Sequence, residues 1–74
     1  MSKQEQFGKK VRKIRESRGW SQEHFAEISN LHRTYISGIE RGVRNPTLTV
    51  IRQIADALEV SLFELFVEEK KNER

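Results

Sequence analysis

The chain has 74 residues, no cysteine and a net charge of +3. A domain of this length buries only about 60% of its unfolded surface, so its core is small and a partner chain or ligand adds to its stability. With no cysteine there is neither a disulfide framework nor a thiolate metal site, as suits a reducing compartment. No apolar run approaches the roughly 18 residues that span a bilayer, and the N-terminus carries no hydrophobic signal segment, so a soluble cytoplasmic protein is expected. Residues 1–52 hold 11 Lys/Arg against 5 Asp/Glu, whereas residues 53–74 hold 3 against 6. A basic front and an acidic back suit a protein that turns one face to a polyanion, although solvated helix faces produce the same runs.

Residues 1–5 read as a flexible N-terminus. From about Gln6 to Arg18, Phe7, Val11 and Ile14 recur at i, i+4, i+7 among Lys9, Lys10, Arg12, Lys13 and Arg15, which predicts a basic amphipathic helix stopped by Gly19. Trp20 follows in the turn, as a core aromatic. Ser21 is a good N-cap, with Glu23 in the first turn where the helix dipole favours an anion. The second helix, with Phe25, Ala26 and Ile28 as its apolar face, runs to about Ser29. Asn30 then occupies a left-handed position, where Asn is the best substitute for Gly.

The third helix spans about 32–41, with Gly42 just past its end. The break before it is so short that the two helices should cross steeply. Leu31, Ile36 and Ile39 form its apolar side, and between them stand Arg33, Thr34, Tyr35, Ser37 and Arg41, none acidic. Val43-Arg44-Asn45-Pro46 is a loop, because Pro46 biases Asn45 away from the helical region. Thr47 caps a fourth helix that buries Leu48, Ile51, Ile54, Ala55 and Leu58. Ser61-Leu62-Phe63-Glu64 matches a capping box for a fifth helix, about 61–67, and residues 68–74 form a charged tail. No strand pattern is present, so the fold class is all-α, a compact five-helix domain.

A helix that is apolar on one side and donor-rich on the other suits a DNA groove. Arg33 lies in the first turn, where side chains project into a major groove, and Arg is the side chain shaped to grip guanine O6 and N7 for roughly 1–3 kcal/mol of discrimination. A surface Arg paired with an acid or a phosphate is the plainer alternative. Thr34 presents a methyl to thymine or a hydroxyl to a base edge, or is an exposed spacer. Ser37, one turn on, is a groove contact or helix filler. Tyr35 is either a core-edge aromatic or a phenol that reaches DNA. Gln22 and the free N–H groups at its helix start suit a phosphate oxygen. Arg41, Arg44 and Asn45 flank the far end of the third helix as backbone contacts that set register, with entry into a minor groove or a plain solvated loop position as the alternatives for Arg44. Gly38 costs about 1 kcal/mol relative to Ala in a helix, which makes sense if a side chain there would strike DNA or a neighbouring helix.

Gln22 to Ala26, their spacing to Ile36-Ser37-Gly38-Ile39-Glu40-Arg41-Gly42, and the later Asn45-Pro46-Thr47-Leu48 resemble the helix-turn-helix domain of the Cro and lambda-repressor type, over about residues 6–66. More narrowly, Arg33-Thr34-Tyr35-Ile36-Ser37-Gly38-Ile39-Glu40-Arg41 followed by Arg44-Asn45 resembles the controller proteins of bacterial restriction–modification systems, small dimeric regulators that time expression of an endonuclease gene. The resemblance implies that Tyr35 faces DNA, that Gln22 holds a phosphate, and that Glu40 turns inward to pair with Arg15.

The fifth helix is too apolar to be buried by so small a domain, and Phe63, Phe66 and Val67 are the expected dimer interface. A two-fold dimer would set the two recognition helices about 34 Å apart, matching half-sites on an inverted-repeat operator in double-stranded DNA. The expected function is therefore a homodimeric regulator of transcription, controlling a restriction–modification operon, with RNA polymerase as a further partner where the operator adjoins a promoter. A phage-type or other small repressor is the near alternative, and an antitoxin-like protein-interaction module the more distant one. His24 and His32 have no cysteine or tight carboxylate cluster beside them, so no metal or other cofactor is expected. No nucleophile with a nearby base, phosphate-binding glycine loop or metal spacing is present, so no enzyme is expected.

Overall fold

The computed structural model describes residues 2–66 and folds them into five helices: α1 (Lys3–Ser17), α2 (Gln22–Ser29), α3 (Arg33–Glu40), α4 (Leu48–Leu58) and α5 (Leu62–Phe66). Val67, one of the three expected interface residues, and the segment 68–74 lie outside the described residues.

The first helix starts earlier than its apolar spacing suggests. Ser2 Oγ accepts from the Glu5 N–H at 3.0 Å, and the Glu5 carboxylate accepts from the Ser2 N–H at 2.9 Å. This reciprocal capping box satisfies two of the donors a helix start leaves open. From Ser2 on, the segment expected to be flexible is therefore cap and first turn. The Ser2 N–H bond, with the Ser2 hydroxyl second, holds the Glu5 carboxyl below its ordinary pKa. Ser61 and Glu64 make the same exchange at the start of α5, at 3.0 and 3.4 Å.

The other ends follow the local signals. Ser21 and Thr47 side chains accept from the N–H groups of His24 and Val50. Asn30 takes φ 62° and Gly42 φ 80°, while Glu59 ends α4 at φ 60°, a conformation that is uncommon for Glu. Arg18 ties the end of α1 to the end of α4 by donating to the Leu58 carbonyl.

Every helix contributes to one core. Val11, Phe25, Ile36, Ile39, Ile54, Leu58 and Leu65 are fully enclosed, each gaining roughly 1.5–3 kcal/mol from burial. Trp20 is half-buried against Phe25, with ring centroids 6.3 Å apart, and Ile14 and Leu31 pack on the core edge.

Two expected core residues are outside it. Leu48 is 80% exposed, because the buried strip of α4 is 51, 54, 55 and 58 and it is Val50, not Leu48, that packs against the core from the first turn. Ile28 is 42% exposed, because α2 buries 25, 26 and 29 instead. Ser29 is satisfied there by donating to the Ala26 carbonyl, and its own carbonyl accepts from Gln53 on α4.

The seating of α1 on α3 depends on Gly8. A Cβ at that position would overlap the Ile39 carbonyl oxygen and lie 2.8 Å from that of Glu40. Only glycine lets the two backbones approach this closely.

Candidate nucleic-acid interface

Helix α3 has one buried and one outward side. Ile36, Ile39, Gly38 and Glu40 are buried, while Arg33, Thr34 and Arg41 are exposed and Ser37 is half-exposed between them. The outward residues at 33, 34, 37 and 41 fall on one strip of the helix. Arg33 and Thr34 occupy the first turn, after His32, which makes no side-chain cap hydrogen bond. At the far end Arg41 Nε donates to Ser37 Oγ at 3.4 Å, so these two expected contacts adjoin.

Glu40 is the only acidic residue between Arg33 and Thr47, and the fold withdraws it from the surface. Its carboxylate accepts from Arg15 Nε at 2.7 Å and Arg15 Nη2 at 3.0 Å, and both side chains are nearly enclosed. Arg15 Nη1 also donates to the Trp20 carbonyl at 2.6 Å, which fixes the guanidinium. Such a two-pronged pair keeps the geometry that planar guanidinium and carboxylate groups require. The strip of α3 is thus left with arginine and hydroxyl groups and no exposed carboxylate of its own, while Glu23 and Glu27 of α2 line a groove beside Arg33.

Gln22 is half-buried at the start of α2, and its Nε2 donates to Glu40 Oε1 at 3.0 Å. One N–H of the amide is therefore engaged inside the protein, a partnership that its place in the sequence does not reveal. The second N–H and the first backbone N–H groups of α2 remain beside it at the helix start.

Tyr35 and Arg44 meet. The Arg44 guanidinium lies over the Tyr35 ring, 5.4 Å from its centroid, while the ring itself packs against the core edge. The expected positions of Arg44 and Asn45 in an exposed loop after α3 agree with what is observed. At Gly38 the nearest neighbour within the chain is a loop side chain and not another helix: a Cβ there would lie 2.5 Å from Cγ of Arg44. Gly8 and the Gly38–Arg44 contact escaped the sequence reading, and a glycine inside an otherwise regular helix is the one signal that marks such positions.

On α5, Phe63 is 77% and Phe66 58% exposed, with Leu62 beside them. Phe66 stacks on Phe7 with centroids 5.4 Å apart. Among the described residues no group of three His, Cys, Asp or Glu side chains has a metal-binding arrangement, and no helix is long and apolar enough to cross a membrane.

A helix-turn-helix family model matches residues 11–65. The control protein C.BamHI of Bacillus amyloliquefaciens is 56% identical over 55 residues, 73% of this chain and 68% of that protein. The control protein C.SmaI of Serratia marcescens is 43% identical across 100% of this chain and 89% of its own length. Among solved structures, the restriction–modification controller protein C.AhdI from Aeromonas hydrophila superposes with a TM-score of 0.83 at 43% identity, over 85% of this chain and 96% of that one. The controller protein C.Esp1396I, solved as a tetramer on its natural 35-base-pair operator, superposes with a TM-score of 0.81 at 42% identity, over 89% of this chain and 91% of that one. With a matching model over residues 11–65, and control proteins similar to it over 73% and 100% of its length, the chain belongs to the helix-turn-helix family.

Proposed function

We propose that this chain is a homodimeric, sequence-specific DNA-binding regulator that controls a restriction–modification operon from an inverted-repeat operator. The observation that carries the reading is the outward strip of α3, where Arg33, Thr34 and Ser37 lead from the helix start while the one acid of that helix, Glu40, is paired inside. In this reading Arg33, Thr34, Ser37 and Tyr35 read base edges in the major groove, and Gln22, Arg41, Arg44 and Asn45 hold the phosphate backbone and set the register. Dimerisation through Phe63 and Phe66 places the two α3 helices about one turn of DNA apart. Operator binding by an oligomer is supported by the similar C.Esp1396I, which was solved as a tetramer in complex with its natural operator. The regulator acts without catalysis in the cytoplasm, and RNA polymerase is its further partner where the operator adjoins a promoter.

Selection of binding sites from random duplex DNA, followed by salt titration on the enriched sequence, tests the proposal. The expected result is an inverted repeat with half-sites about 10 base pairs apart and an affinity that falls steeply with salt. No enrichment, with weak binding to every sequence, would refute it and turn attention to α5 as a surface for a protein partner.

A further inference from the structure

Gly38 holds the loop after α3 against the recognition helix in two ways. Its carbonyl accepts from the N–H groups of both Val43 and Arg44, at 3.0 and 3.2 Å, which folds the loop back over the helix. Its missing side chain leaves a slot that the Arg44 stem fills: a Cβ at 38 would lie 2.5 Å from Arg44 Cγ and 3.5 Å from Cδ. These are atoms in the middle of the side chain, so rotation of the guanidinium alone gives no relief. Running through this slot, the stem delivers the guanidinium to the face of Tyr35, 5.4 Å from the ring centroid.

We infer that Gly38 is a positioning residue for DNA recognition, whose lack of a side chain couples the loop Arg44 to the helix Tyr35 as one composite contact. A free arginine in an exposed loop pays side-chain entropy when it docks on DNA. One already laid across α3 has lost much of that freedom beforehand, and a guanidinium over an aromatic face holds its own orientation and that of the ring. The arrangement also explains a glycine at a helix-interior position where alanine favours the helix. Gly38 thus trades local helix stability for the placement of two side chains. The inference rests on the reading of α3 as the DNA-contacting helix.

The test uses the full chain, as wild type, Gly38→Ala, Arg44→Ala and the double variant, with the duplex that wild type enriches from a random pool and a scrambled duplex of equal composition. In the free protein, Gly38→Ala should keep or raise the melting temperature yet abolish the ring-current shifts of the Arg44 side-chain protons. Tyr35 is the sole tyrosine in the chain, which makes its contribution identifiable. On the enriched duplex, Gly38→Ala and Arg44→Ala should each lower affinity roughly tenfold, and the double variant should lose no more than either alone. Retained ring-current shifts in Gly38→Ala, wild-type affinity of either single variant, or fully additive losses would each overturn the inference. Those results leave the DNA-binding reading intact, whereas that reading itself fails only if wild type enriches no duplex.

Discussion

Arg15 of α1 and Glu40 of α3 stand 25 residues apart in the chain and 2.7 Å apart in the fold, joined by two hydrogen bonds in near-complete burial. The pair removes the one carboxylate of α3 from the surface and pins α1 to the end of α3. Gln22 joins it from α2, so three helices converge on one carboxylate.

Removing one partner leaves the other charge buried and alone. Glu40→Ala is therefore expected to destabilise the chain by about 3–5 kcal/mol, a large part of the total for a domain of this size. Replacing both partners with apolar residues of similar volume is expected to cost far less. Urea denaturation of the single and double variants decides this, and equal losses would argue against the pair as described.

Gly8→Ala separates packing from helix propensity. In an open helix the change would stabilise by roughly 0.5–1 kcal/mol. Here the new methyl meets the Ile39 and Glu40 carbonyls, so a loss of about 1–3 kcal/mol is expected instead. The sign of the shift in thermal unfolding is the readout.

The Glu5 carboxyl is held below its ordinary value by its bonds to Ser2, and that of Glu16 by its hydrogen bond from Arg12. A depressed folded-state value means that each contributes stability above its unfolded value and loses it as pH falls through the folded one. Glu5→Gln should thus melt below wild type at neutral pH, with the gap closing on acidification. Melting curves across pH check it, and a gap that is constant with pH would contradict the assignment.

Arg33 is exposed and makes no core contact, so Arg33→Ala should leave stability within about 0.5 kcal/mol. Repeating the binding-site selection with this variant should relax one guanine position in each half-site, a discrimination of about 1–3 kcal/mol. A weakening that is uniform over all sequences would instead assign Arg33 to a phosphate.

Phe63 is 77% exposed and lies outside the core. Phe63→Asp should leave the fold intact and shift sedimentation equilibrium from dimer to monomer, with operator affinity falling in parallel. A dimer that survives this change places the interface elsewhere.

Local chemistry wrote most of the architecture into the chain. Capping side chains at Ser21, Thr47 and Ser61, a left-handed Asn30 and the loop at Pro46 mark helix ends because they act on backbone groups a few residues away. Ser2 and Glu5 carry the same signal as Ser61 and Glu64 and were equally legible, although the apolar spacing of the first helix begins later. Donor-rich positions between the apolar residues of α3 also follow from the period of a helix alone. The tertiary structure decided what depends on distant neighbours. Periodicity names the inward face of α4 but not which residue of its first turn meets the core, so Leu48 fits the pattern and still faces solvent while Val50 packs. Gly8 under the end of α3, the Gln22 amide on Glu40 and the Arg44 stem across Gly38 are contacts between segments that only folding brings together. Their energies depend on atomic distances of a few ångströms, and no local pattern in the chain encodes those distances.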